Sequence, residues 1–273
     1  MEETSESGIA ITEDSSRGEG GARMGWDHRR PGVRAKPITE ASVRIFDCVT
    51  ALFLLFLLTP LIVLISIGIL IDSRGPILYG ATRVGRYGYP FRMLKFRKMN
   101  AQAQGPPLTV ASDSRFTRFG RLLAKTKLDE LPQLWNVVRG DMSLVGPRPE
   151  DLAFVSLLGA DYEEILTVPP GITGLSQLAF AKESQLLAAN DSHDYYIERL
   201  LPQKVALDRL YARRRSLLLN LHVLLWTGVV VSLIGDVAVN RATGRATLRR
   251  RPRQVELAPE QTTPQLGHEV SSQ

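Results

Sequence analysis

VTALFLLFLLTPLIVLISIGILI, from Val49 to Ile71, runs for 23 residues without one charge. That length matches the apolar thickness of a bilayer, and a buried helix of a soluble protein normally keeps a polar face. The run therefore reads as a membrane helix. Thr59 and Pro60 sit in its middle. Proline removes a helical hydrogen bond and bends the chain, so these two residues predict a kink. Both flanks are basic: Arg34, Lys36 and Arg44 before, and Arg74, Arg83, Arg86, Arg92, Lys95, Arg97 and Lys98 after. Positive charge marks the cytoplasmic side of a membrane segment. Basic residues on both sides fit a re-entrant helix hairpin that enters and leaves by one face. A kinked transmembrane helix is the alternative that the same pattern allows.

Outward from this run the chain divides into four. Residues 1–36 hold 7 acids and 6 bases with no apolar periodicity, and read as a disordered tail without a secretory signal. Residues 37–73 are the membrane helix, and residues 74–238 form the body. Residues 239–273 read as a disordered basic tail, with arginines from Arg249 to Arg253. A second apolar stretch, Leu217 to Ile234, is interrupted by Asn220 and His222. It can lie in the membrane interface, pack on the first apolar element, or form a second span.

The 273 residues carry a net charge of +6. Segment 74–148 has 14 Lys/Arg against 4 Asp/Glu, a net +10, so the basicity is concentrated in the body. That favours an anionic partner. Nucleic acid is not expected, because no recognition module is present, few aromatics interleave the basic residues, and the apolar run would have no role. The single cysteine, Cys48, excludes an intramolecular disulfide, and four scattered histidines give no zinc spacing. Ile77-Leu78-Tyr79 and Phe91 to Phe96 read as short strands joined by a turn at Gly85, Gly88 and Pro90. Leu131, Leu134, Trp135 and Val138 have helical spacing, ended by Gly140. Pro169-Pro170-Gly171 breaks the chain, and residues 194–215 form another helix.

The chemistry concentrates at Lys127-Leu128-Asp129-Glu130-Leu131-Pro132-Gln133. Two adjacent carboxylates precede a proline suited to the first turn of a helix. Asp129 beside a phosphorus centre can act as a nucleophile, with a metal ion screening the charges. Helix capping is the structural alternative for the same residues. Pro147 and Pro149 hold Arg148 in an extended frame that suits bidentate phosphate binding. Lys95, Phe96, Arg97 and Lys98 end the second strand with basic groups.

These motifs, in this order, resemble the monotopic bacterial phosphoglycosyl transferases. The resemblance covers roughly Lys36 to Asp236. It includes the Pro60-centred hydrophobic segment, Lys95 to Met99, Leu128 to Asn136, Gly140 to Pro149, and Pro170 to Gly174. It implies an α+β fold: an N-terminal re-entrant, kinked helix hairpin with a mostly helical cytosolic body containing a small β element. It implies transfer of a sugar 1-phosphate from a UDP-sugar donor to polyprenyl (undecaprenyl) phosphate, releasing UMP and initiating exopolysaccharide or glycan synthesis. Asp129 matches the nucleophile that forms a covalent phosphosugar intermediate, and Glu130 matches its partner. Both would hold Mg2+. Lys95 and Arg148 match residues lining the donor site, and Arg97 shares the Lys95 motif. The bacterial inner membrane, at its cytoplasmic face among membrane lipids, is the expected location, and apolar surface there favours a homodimer. One departure stands out. Family members usually carry arginine where this chain has Ala124, so Arg121 and Lys125, one helical turn apart, are the substitute phosphate contacts. The alternative reading of that departure is an altered-donor or inactive member acting as a membrane scaffold in polysaccharide assembly.

Overall fold

A computed structural model describes residues 11–12, 23–24, 37–100, 103, 113–158, 160–181, 195–232 and 237–248. The tail expected over 1–36 lies almost wholly outside them, apart from a two-residue ladder between β1 (Ile11–Thr12) and β2 (Arg23–Met24).

Helix α1 (Pro37–Asp72) contains the apolar run. The helix runs on through Pro60, the position at which a kink is expected. Proline deletes only the bond to the carbonyl four residues back, while the Thr59 hydroxyl donates to the Leu55 carbonyl at 2.7 Å. In apolar surroundings every other backbone group must stay paired within the helix. One stripe of α1 packs along the body: Val43, Asp47, Ala51, Ile65 and Ile69 are buried, with Leu54, Leu58, Leu61 and Ile62 half-buried between them. The spacing follows the 3.6-residue turn. The opposite face is bare, with Phe56 82% and Ile71 81% exposed. A core helix of a soluble protein would bury this face, so the chain is membrane-associated. Polar groups secure both ends. Glu40 accepts from Arg86 at 2.8 Å and Arg215 at 3.2 Å, and the Ser143 hydroxyl donates to Asp47. At the far end Asp72 accepts from the Phe119 amide at 3.0 Å.

The β-hairpin β3 (Leu78–Val84) and β4 (Pro90–Phe96) is antiparallel, closed by a 3-10 turn at Arg86–Gly88. Helix α2 (Arg118–Thr126) starts at a Thr117 cap, whose hydroxyl accepts from the Gly120 amide at 2.9 Å. It ends at Lys127 in the left-handed region, φ 60°. A 3-10 turn (Leu128–Glu130) and helix α3 (Gln133–Arg139) follow, with Gly140 at φ 95° closing α3. Asn136, fully buried, stitches α3 to β4: it accepts from the Leu94 amide and donates to the Arg92 carbonyl, both at 2.9 Å.

Strands β5 (Ser143–Val145) and β6 (Gly171–Thr173) pair in parallel across α4 (Leu152–Leu158) and α5 (Ala160–Ile165). Their closeness depends on glycine: a Cβ on Gly171 would stand 2.0 Å from the Gly146 nitrogen. Gly171→Ala is expected to cost about 3 kcal/mol by overpacking and to shift the Pro147–Pro149 loop. A melting curve together with a UMP-release assay checks both effects.

Helix α6 (Leu175–Ala179), a π-helical turn (Tyr196–Leu200), α7 (Leu201–Arg214) and α8 (Leu217–Val231) complete the helical body. At 15 residues α8 is about 22 Å long, too short for a second span. Its polar residues are tied to the body, although Asn220 Nδ2 is buried without a partner. Asn220 accepts from the Tyr211 hydroxyl at 2.8 Å, His222 from the Ala246 amide at 3.2 Å, and Thr227 meets Thr173 at 2.7 Å. Within the stretch read as a tail from 239, β7 (Val237–Val239) pairs with β8 (Ala246–Leu248), and residues 249–273 lie outside the described residues. Asn240 shapes the turn by accepting from the Ala242 and Thr243 amides, and Gly244 supplies φ 72°.

Candidate active site

Asp129 owes its position to the break between α2 and α3. Lys127 turns the chain by adopting a left-handed conformation that costs a non-glycine residue about 1 kcal/mol. Leu128 and Leu131 then pack against the cluster of Ile65, Ile69, Phe96 and Leu123. With both leucines anchored, Asp129 between them points inward and is 1% exposed.

Two ion pairs converge here. Lys98 Nζ donates to Asp129 Oδ2 at 2.9 Å, and Lys95 Nζ donates to Glu130 Oε1 at 2.9 Å. Arg148 stands 3.6 Å from the same Glu130 oxygen. Burial by itself would raise the Glu130 pKa, but Lys95 and Arg148 outweigh it and hold the carboxyl below its ordinary range. Burial lowers the Lys95 pKa, and its neighbours Arg148 and Lys98 push the same way against Glu130 and Asp129. Asp129 Oδ1 and Gln133 Nε2 are buried without a hydrogen-bond partner. An orphan acceptor and an orphan donor four residues apart are the features of a site shaped for a polar ligand.

Among the residues singled out by sequence, Asp129, Glu130, Lys95 and Arg148 come together. Arg97 lies elsewhere: its guanidinium donates at 2.6 Å to the Ser73 and Arg74 carbonyls, tying β4 to the end of α1. Arg121 and Lys125 are exposed on α2 and take no part in the Asp129 or Glu130 ion pairs. Lys98 is the residue that sequence reading passed over as a site group. Strand alternation pairs Lys95 with Arg97 on one face, but β4 ends at Phe96. The parity breaks there, and Lys98 takes the place of Arg97.

Behind Arg148 lies a buried polar network. Lys204 Nζ donates to Glu150 Oε1 at 2.8 Å, and the Tyr196 hydroxyl donates to the same oxygen at 3.0 Å. Burial would raise Glu150, but Lys204 holds its pKa below the usual value. Asp208, buried nearby, goes the other way: burial raises it from 3.8 to about 7 against the hydrogen bond from Ser176. Between these two values the folded protein binds a proton that the unfolded chain has released. Stability therefore falls as pH rises from about 4 to 7, by up to about 4 kcal/mol. Asp208→Asn is expected to flatten that part of the slope and melt higher than wild type at pH 8. Paired melting curves at pH 5 and pH 8 test it.

An ion-paired carboxylate with one oxygen unclaimed, ringed by lysines and arginine beside a long apolar helix, suits the binding of phosphorylated groups at a lipid surface. The comparisons agree and narrow the class. The chain belongs to the bacterial sugar transferase family, whose pattern matches residues 38–233. It is 39% identical over 207 residues to the UDP-glucose:undecaprenyl-phosphate glucose-1-phosphate transferase of Caulobacter vibrioides, covering 72% of this chain and 73% of that one. It is 35% identical over 221 residues to the undecaprenyl-phosphate glucose phosphotransferase of Komagataeibacter xylinus, covering 74% of this chain and 40% of that one. It is 36% identical over 169 residues to the UDP-N-acetylgalactosamine-undecaprenyl-phosphate N-acetylgalactosaminephosphotransferase of Aeromonas hydrophila, covering 59% and 40%. The protein is thus a phosphoglycosyl transferase, although it spans well under half the length of the latter two relatives.

Proposed function

We propose that the protein transfers a sugar 1-phosphate from a UDP-sugar to undecaprenyl phosphate through an aspartyl phosphosugar intermediate. The observation that carries this reading is Asp129, held by Lys98 through one oxygen while the other has no partner. In the first step that free oxygen attacks the sugar-bearing phosphorus. The bond to the UMP oxygen breaks, and UMP leaves with the electron pair. In the second step an oxygen of the lipid phosphate attacks the same phosphorus. The aspartyl–phosphorus bond breaks, and the Asp129 carboxylate is restored. Two displacements in one small site predict ping-pong kinetics. Lys95 and Arg148 orient the phosphates and offset their charge, and Glu130 keeps both cations in place.

Mg2+ takes one or two carboxylates plus substrate phosphates, so Glu130 beside Asp129 would hold it together with the donor phosphates and leave the attacking Asp129 oxygen free. Bound there, it would supply charge neutralisation for the leaving phosphate.

Membrane insertion from one side follows from the same reading. Glu40 and Arg44 near the start of α1, and Asp72 at its end, all hold the one body. A body on one side of the bilayer places both helix ends on that side. Re-entrant insertion at the cytoplasmic face of the inner membrane, where UDP-sugars are made, meets this condition, and a homodimer within that membrane is part of the proposal.

The test is intact-mass spectrometry with UMP measurement on purified protein, Mg2+ and a panel of UDP-sugars without acceptor. UDP-glucose and UDP-N-acetylgalactosamine come first because relatives are named for them. A sugar-phosphate adduct with stoichiometric UMP is expected. No adduct and no UMP from folded protein with any donor supports the scaffold reading that Ala124 raises.

A further inference from the structure

A groove of about 430 Å3 opens between the end of α1 and the start of α2, lined by Gly68, Ile71, Asp72, Arg118, Phe119 and Leu122. We propose that it holds the isoprenoid chain of the acceptor, with Arg118 at its mouth taking the lipid phosphate. This rests on the reading that the acceptor is a polyprenyl phosphate.

Phe119 can seat on α1 because Gly68 has no side chain: a Cβ there would come within 2.7 Å of its ring. The ring lies flush on α1 and forms an apolar floor. The groove is continuous with the lipid-facing surface of α1, where Leu64, Ile67, Leu70 and Ile71 are exposed. A hydrocarbon chain can therefore enter from the bilayer without crossing water.

Charge selects the headgroup. Arg118, Arg121 and Lys125 are exposed at positions i, i+3 and i+7 of α2, so they form one cationic stripe beginning at the groove. None has an ion-pair partner among the described residues. Asp72, the one acid lining the groove, is engaged as the acceptor of the Phe119 amide. An apolar slot ending in unpaired cations fits an amphiphile with an anionic head.

Position relates the groove to chemistry. The Lys98 carbonyl accepts from the Thr117 amide at 3.1 Å and lies against Gly120, where a Cβ would be 1.9 Å from it. The ammonium of the same lysine is on Asp129. The α2 turn that walls the groove is thus one lysine side chain away from the reacting carboxylate. Arg121 and Lys125 acquire a role here that they lack in the donor site.

Two measurements test this. In steady-state assays, Arg118→Gln is expected to raise the KM for undecaprenyl phosphate about tenfold while acceptor-free UMP release stays as in wild type. Leu122→Trp, which narrows the slot, should raise KM more for the long chain than for a ten-carbon prenyl phosphate. Unchanged acceptor KM in both variants overturns the proposal. Independently of turnover, a diazirine-bearing prenyl phosphate should label Ile71 or the 118–122 segment in the full-length protein in nanodiscs, with undecaprenyl phosphate competing. Competition by phosphatidylglycerol equal to that by undecaprenyl phosphate makes the groove a bulk-lipid site and overturns it. Absence of the donor adduct in wild type, with the photolabel in place, sinks the catalytic reading and leaves the groove as a lipid site.

Discussion

Asp129→Asn is expected to abolish both the covalent adduct and turnover, a loss on the order of 10^4-fold or more, as for removal of other enzymatic nucleophiles. The substitution changes one oxygen to an amide nitrogen and keeps the volume. The amide cannot attack phosphorus, and it is a weaker acceptor for the Lys98 ammonium at 2.9 Å. Leu128 and Leu131 still anchor the turn, so the fold should survive. Glu130→Gln separates the two carboxylates. It leaves Asp129 intact but removes the counter-charge of Lys95, whose pKa burial already depresses. An adduct should therefore still form, slowly. An adduct on Asp129→Asn at the wild-type rate would end the nucleophile assignment.

Lys204→Met is expected to be strongly destabilising. It costs about 3–5 kcal/mol, because Glu150 would remain buried with the Tyr196 hydroxyl as its surviving partner. For a chain of this size that corresponds to a melting temperature lower by about 10 °C. The sign with pH is defined. Glu150 has a depressed pKa in the fold, so its contribution is present above the ordinary glutamate value and is lost as pH falls through the folded value. The deficit of Lys204→Met should therefore be largest near neutral pH and shrink in acid. Adding Glu150→Gln removes the stranded charge and should recover part of the loss, a coupling that a double-mutant cycle reads directly. Equal melting of wild type and Lys204→Met at pH 7 rules the pair out as a structural element.

The apolar run, its proline, the β3–β4 hairpin, α3 and the pairing of Asp129 with Glu130 were legible because each is local. Hydrophobic period, turn residues and adjacent acids need no knowledge of distant chain. The β7–β8 hairpin was missed because three-residue strands carry almost no periodic signal. Its cue, an Asn240–Gly244 turn between Val237–Val239 and Ala246–Leu248, shows clearly only once His222 is seen to accept the Ala246 amide.

By itself the sequence determined a membrane-length apolar run and a carboxylate pair in a basic body, and its motif order carried the resemblance that implied an α+β transferase, since composition and motif order are properties of the chain alone. Tertiary structure decided which cation meets which acid. Arg97 and Lys98 are neighbours in sequence, yet one closes the end of α1 and the other holds Asp129. The end of a strand, where alternation stops, makes that choice, and only packing against α1 and α2 determines where the strand ends. The same packing carries Lys204 to Glu150 across 54 positions and seats Phe119 on Gly68. Pairings at that separation are set by how whole elements bury their apolar faces, and no short stretch of sequence contains them.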